Sequence, residues 1–334
     1  MPRVPPVLAI TAGDPCGIGP EVILKTLSSL SGPRRARLVL IGDLAVFARA
    51  AARLRRRLPS WEVRQSQDPP PPAFGPLTFL DCGHPARFTP GRASREAGAA
   101  SLAYLERAIA LWRRWRLQGL VTGPVTKWAI QRVKPSFVGQ TEYLARAMGA
   151  REVVMMFVAG RLRVALLTRH IPLREVPGRI DRRLLRSAAR AVTAALVRDF
   201  HIARPRLAVC GLNPHAGEGA SASEEQAVMR PALHLLRRSG LVCDGPFAAD
   251  GLFAAAGWRG YDAVLCGYHD QGLIPFKMAA RDHGCQLSVG LPIVRTSPDH
   301  GSALDIAGQG IANPGSMRYA LEFAITLARR RAQC

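Results

Sequence analysis

The sequence has no apolar run of eighteen residues, and no charged leading segment that opens into a short apolar one. Neither a membrane-spanning helix nor a secretory leader is expected from it. Cysteine is sparse, seven residues in 334 without a paired CxxC spacing, which speaks against a disulfide framework. Cys210 and Cys266 fall inside predicted strands and read as buried, reduced thiols of a cytoplasmic protein. Aromatic residues make up only 6% and do not alternate with basic ones. The formal net charge of +22 therefore does not point to a nucleic-acid surface, because the arginines are spread over helix faces at 53–57, 113–116, 182–190 and 329–331. Lysine is the scarcest cation. Of 46 Lys and Arg residues only Lys25, Lys127, Lys134 and Lys277 are lysines. Where a chain otherwise writes its cations as Arg, a retained Lys suggests that a compact, titratable ammonium is wanted.

What the chain does have is alternation. Strands are expected at 7–12, 37–41, 77–80, 119–122, 152–158, 162–168, 206–212, 262–266 and 286–290. Helices are expected at 20–30, 44–58, 95–116, 138–148, 181–199, 222–238 and 316–331, with Trp112 and Trp115 as packing residues. This order implies an α/β protein, with largely parallel sheets covered by helices on both faces. The proline-rich stretch 67–76 reads as a surface loop.

Polar residues gather just past the strand ends, where open α/β sheets bind ligands. Tyr268-His269-Asp270-Gln271 follow the strand at 262–266, and Pro275 is expected to prevent a long helix there. Asn213, His215 and Glu218 follow the strand at 206–212, and His170 follows that at 162–168. Three histidines in equivalent positions fit a divalent cation, against the alternative of unrelated polar residues at loop starts. The glycine-rich turn 13–19 leads into a helix and suits either an anion or a tight turn. Thr141, at the start of the helix expected at 138–148, reads as its N-cap.

The segments GDPCGIGPE (13–21), GPVTK (123–127), GQTEYLA (139–145), TRHIPL (168–173), GLNPHAGEG (211–219), YHDQGLIPFK (268–277) and GLPIVRTSPDHG (290–301) resemble, in this order, the 4-hydroxythreonine-4-phosphate dehydrogenase family. That family makes a precursor of pyridoxal phosphate. The resemblance implies two α/β/α domains like those of isocitrate and isopropylmalate dehydrogenases, with the active site in the inter-domain cleft. The expected domains are 1–128 plus 297–334, and 129–296, with dimerisation through the second. It also implies a homodimer whose metal (Zn, Co, Mn, Ni or Mg) is shared between subunits and held by His170, His215 and His269.

By the same resemblance Gln140, Thr141, Lys277, Gln286 and Arg295 contact the substrate; the family usually has His at the first of these positions and Asn at the fourth. Lys277 and Asp270 are the expected catalytic residues, Lys277 as proton donor. The segment HGSALDIAGQGIANP (300–314) is similar to the adenosine-binding loop of the isocitrate and isopropylmalate dehydrogenases, with Leu304 in place of the usual Pro. It implies His300, Gly301, Ala303, Asp305 and Asn313 as contacts for NAD, with NADP less favoured. The expected reaction is metal-dependent, NAD-linked oxidation of 4-phosphooxy-L-threonine to a β-keto acid that loses CO₂ to give 3-amino-2-oxopropyl phosphate. A relative acting on 4-phosphothreonate, 4-phosphoerythronate or a cis-diol acid is the alternative, as is a non-catalytic nucleotide- or metal-binding protein. No nucleic-acid or membrane partner is expected.

Overall fold

The structure, a computed structural model, describes residues 5–30, 36–65, 75–84, 87–115, 117–219, 221–254 and 256–332. Most of the proline-rich stretch, residues 67–74, lies outside the described residues. The chain divides into two units, Met1–Gly149 with Leu291–Cys334, and Ala150–Gly290. In chain order the strands are β1 (Val7–Thr11), β2 (Arg37–Gly42), β3 (Glu62–Gln65), β4 (Leu77–Asp81), β5 (Gly119–Thr122), β6 (Val154–Ala159), β7 (Leu162–Leu166), β8 (Arg206–Cys210), β9 (Val242–Phe247), β10 (Ala263–Cys266), β11 (Cys285–Val289) and β12 (Val294–Pro298).

The first unit carries its strands in the order β3-β4-β2-β1-β5-β12, all parallel. Parallel strands covered on both faces need continuous apolar runs, and β1 and β2 supply them. Leu8, Ala9, Ile10, Leu38, Val39, Leu40 and Ile41 are all at most 1% exposed. Helices Gly19–Ser29, Arg95–Trp115 and Gly315–Arg331 connect or close these strands.

The second unit has the order β11-β6-β7-β10-β8-β9. Strands β7, β10, β8 and β9 are parallel, but β6 runs antiparallel to both β11 and β7. The reversal is local in origin. Gly160 and Arg161 alone separate β6 from β7, with Ala159 paired to Leu162, and Gly160 takes φ +55°. A two-residue connection permits only an antiparallel hairpin. Met155, Phe157, Val164, Leu166, Val264 and Phe276 pack together as this unit's core. Cys210 and Cys266 are both 0% exposed, with sulfurs 3.9 Å apart and unbonded.

One expectation fails outright. Pro275 does not prevent a helix: His269–Ala280 runs through it for 12 residues. Proline inside a helix costs about 3 kcal/mol. Leu273, Phe276 and Ala280 on the buried face supply apolar burial that offsets this, since tertiary packing outweighs propensity in a helix. Strands β3, β9 and β12 and the short helix Lys127–Gln131 were not expected. Among the described residues no helix is long and apolar enough to cross a membrane.

Candidate active site

The three histidines occupy three strand-end loops of the second unit. Past β7 and β10 the backbones stay joined: Leu167 N donates to Cys266 O at 2.8 Å and Thr168 N to Gly267 O at 3.1 Å. The Thr168 hydroxyl adds a bond to the same Gly267 carbonyl at 2.7 Å. This stitching brings His170 beside His269, with ring centroids 6.1 Å apart and planes at 38°. His269 is the first residue of its helix, and its Nδ1 lies 2.7 Å from Asp270 Oδ1. A carboxylate at Nδ1 fixes the tautomer that leaves Nε2 as a ligand.

His215 sits in the turn Pro214–Gly217, where His215, Ala216 and Gly217 take φ +51°, +54° and +72°. His170 is likewise left-handed, at φ +55°. Such conformations cost energy in residues with a Cβ and persist where the surroundings impose them, often at functional sites. The start of the His215 loop is held by Glu225, a fully buried carboxylate. It accepts the N–H groups of Leu212 (2.6 Å) and Asn213 (2.8 Å) and the Asn213 side-chain amide (2.9 Å). Burial alone would push the Glu225 carboxyl up, but these donated bonds outweigh it and hold it at about 2. Glu225 begins a short π-helix, Glu225–Met229, a form frequent at functional sites.

His215, Asn213, Tyr268, Asp270 and Gln271 line one open cavity of about 540 Å³. Gln271 ties its walls, accepting from Gly267 N at 2.6 Å and donating to Gly211 O at 2.6 Å. Among the described residues, however, no three or more His, Cys, Asp or Glu side chains converge as a metal site. The donor chemistry fits a divalent cation, with two adjacent imidazoles and one tautomer locked. Within one chain the set of three is not assembled.

In the first unit, Thr141 and Arg295 meet. Arg295, on β12, is 2% exposed; its guanidinium donates to Thr141 Oγ1 at 3.3 Å and to Thr122 Oγ1 at the end of β5. Gln140 Nε2 donates to Gly123 O at 3.1 Å. A buried guanidinium at a strand end is well suited to an anion, since charge-assisted pairing grows stronger out of water. Gln286, in the second unit on β11, is also buried, with Nε2 3.1 Å from Ser288 Oγ. Lys277 is exposed on the helix His269–Ala280.

The 300–314 segment of the first unit forms successive turns and not the start of a helix. It packs on the turn 13–19: Ile18 N donates to Ser302 O at 2.9 Å, and the Ser302 and Thr126 hydroxyls lie 2.8 Å apart. A Cβ on Gly17 would come within 2.8 Å of Ser302 O, so this glycine serves close approach of the two segments. His300 Nδ1 is 2.9 Å from Gly301 O, while its Nε2 is buried with no hydrogen-bond partner among the described residues. Such an orphan is costly unless a ligand completes it, which fits a bound cofactor. Ala303 takes φ +39°, and Gly301, Asp305 and Asn313 are exposed.

A family model described as "Pyridoxal phosphate biosynthetic protein PdxA" matches residues 34–324. The chain belongs to this family. It is 45% identical over 329 residues to a 4-hydroxythreonine-4-phosphate dehydrogenase of Chromobacterium violaceum, covering 98% of each. The solved structure of the Klebsiella pneumoniae protein of the same name superposes with a TM-score of 0.82 at 30% identity, over 98% of this chain and 99% of that one. A terephthalate 1,2-cis-dihydrodiol dehydrogenase from Burkholderia xenovorans also matches, at TM-score 0.64 and 30% identity, over 96% and 97%. The PdxA-family chain is thus a dehydrogenase of the expected α/β class.

Glu225 and Thr122 were missed in the sequence. Glu225 lies in SASEEQAV, which reads as an ordinary polar helix start; only its place shortly after a glycine-rich loop hinted at more. Thr122 ends a predicted strand, with nothing to mark it.

Proposed function

We propose that this dehydrogenase oxidises 4-phosphooxy-L-threonine to the β-keto acid, which loses CO₂ to give 3-amino-2-oxopropyl phosphate. It uses NAD in preference to NADP. The observation that carries the phosphate part is the buried Arg295 guanidinium held against Thr141. The names of the full-length relatives support the same substrate.

His170, His215 and His269 would hold a divalent cation, the set being completed between two copies of the chain in a homodimer. When bound, the cation supplies Lewis-acid polarisation of the substrate hydroxyl, and the nicotinamide supplies a hydride acceptor. Asp270 keeps His269 in the ligating tautomer. Lys277 holds the proton delivered to the carbon that loses CO₂. Arg295 binds the phosphate, Thr141 and Gln140 orient the substrate beside it, and Gln286 adds an amide contact. His300, Gly301, Ala303, Asp305 and Asn313 bind the adenosine end of the cofactor.

A second reading has an observation of its own. Gln140 and Gln286 stand where the family usually has His and Asn, and one 30%-identical relative is named for a cis-dihydrodiol. An absorbance assay for NADH with 4-phosphooxy-L-threonine, 4-phosphothreonate, 4-phosphoerythronate and a cis-diol acid separates the two. Fastest turnover of the first supports the proposal; turnover of the diol acid alone overturns it. For the metal, His269→Ala should lose bound cation by elemental analysis while staying folded, because two imidazoles cannot hold an exchangeable ion well. Full metal content in that variant would remove His269 from the ligand set.

A further inference from the structure

Of the four lysines in this arginine-rich chain, Lys25 has a place that explains why it is not Arg. Glu21 and Lys25 lie one turn apart on the helix Gly19–Ser29, with the ammonium 2.8 Å from Glu21 Oε1. Both side chains reach the same short piece of the 300–314 segment. Glu21 accepts the N–H groups of Gly310 (3.2 Å) and Ala312 (2.9 Å). Lys25 donates to the carbonyls of the same two residues, at 2.8 and 2.7 Å. The ammonium thus meets three acceptors, Glu21 and two carbonyls, which matches its three N–H donors. A planar guanidinium, with its donors in a rigid fork, does not present three converging bonds in this way.

The consequence is a fixed presentation of the segment. Residues 310 and 312 have both peptide groups taken up on the helix side, and Ala312 is 1% exposed. Ile311 between them is 65% exposed, and Asn313 beyond them is exposed. Glu21 itself is 5% exposed. An i,i+4 pair on a helix surface contributes little by itself; four backbone bonds give this one a different task.

We propose that Glu21 and Lys25 are positioning residues for the nicotinamide cofactor, acting through Gly310 and Ala312 to hold the adenosine-binding segment in its binding conformation. The proposal rests on the reading of 300–314 as the cofactor segment. The effect expected of both is on cofactor affinity, exerted through the backbone of the segment.

The test measures the dissociation constant of NADH by fluorescence titration for the unmodified enzyme and for Lys25→Met, Lys25→Arg, Glu21→Gln and Asn313→Ala. Lys25→Met is expected to weaken NADH at least tenfold. Lys25→Arg is expected to fail to restore it, and the KM of the hydroxy-acid substrate at saturating cofactor should stay within twofold. Unchanged NADH affinity in both folded Lys25 variants, with Asn313→Ala weakened, overturns the positioning role and leaves the cofactor segment standing. Unchanged affinity in all of them overturns the reading of the segment and the proposal with it. Should the variants not fold, hydrogen exchange of the cofactor-free enzyme decides. Slow exchange of the Gly310 and Ala312 amides relative to Ile311 supports the proposal, and fast exchange at both overturns it.

Discussion

Glu225 accepts both the backbone N–H and the side-chain amide of Asn213, at 2.8 and 2.9 Å, and so holds the chain two residues before His215. A carboxylate with no exposed surface has here become the frame on which an exposed imidazole is carried.

Replacing it shows the cost. Glu225→Ala removes charge-assisted bonds and leaves the half-buried N–H groups of Leu212 and Asn213 without their acceptor, and is expected to destabilise by about 2–4 kcal/mol. Urea denaturation measures this, and a change below about 0.5 kcal/mol would show that the loop does not depend on Glu225. Because its pKa is depressed from 4.5 to about 2, its contribution is present above pH 4.5 and is lost as pH falls toward 2. The Glu225→Gln variant should therefore lose part of the acid limb of the stability–pH curve.

A second titration has the opposite sign. His84 Nδ1 lies 3.0 and 3.1 Å from the two oxygens of Asp43, which also accepts from the Tyr104 hydroxyl. The bond to Asp43 raises the imidazole pKa above 6.5, against the opposing effect of burial. A raised pKa contributes stability that is complete below pH 6.5 and fades as pH climbs through the folded-state value. The stability difference between the unmodified enzyme and His84→Asn should shrink from pH 6 toward pH 9. A difference independent of pH would show that His84 acts only as a neutral donor.

At the anion end, Arg295→Lys keeps the charge but loses the two-pronged donor. It is expected to raise KM for the phosphorylated substrate by about tenfold or more, as charge-assisted bonds are each worth about 1.5–3 kcal/mol. Lys277→Ala should lower kcat as well, if Lys277 is the proton donor proposed above. Steady-state kinetics with a phosphorylated and an unphosphorylated hydroxy acid checks both. Equal effects of Arg295→Lys on the two acids would remove Arg295 from the phosphate site.

The proposed preference for NAD rests on Asp305, an exposed residue of the segment whose backbone carbonyl is held by Gln309 at 2.7 Å. Facing the ribose, it would accept from the 2′- and 3′-hydroxyls of NAD and repel the 2′-phosphate of NADP. NAD is expected to be preferred at least about tenfold in kcat/KM, the factor that about 1.4 kcal/mol supplies. Asp305→Lys should narrow or reverse that. Equal efficiency in the unmodified enzyme would place Asp305 away from the ribose.

Much of this molecule is decided by short stretches of sequence. The runs VLAIT and RLVLIG become central parallel strands because residues buried on both faces must be apolar throughout. His170, His215 and His269 could be placed past strand ends because glycine and polar residues there break the apolar run. Other features depend on partners remote in the chain. Arg295 was expected among the substrate contacts only through the resemblance, and nothing local in the sequence foretold that it is buried against Thr141, 154 positions away. Lys25 meets carbonyls more than 280 positions later, and the helix through Pro275 exists because its far face is packed into a core. Local patterns record a residue's neighbours along the chain, through backbone geometry and periodic burial. A hydrogen bond between distant segments leaves no periodic trace, so only the tertiary structure decides which polar groups find one another.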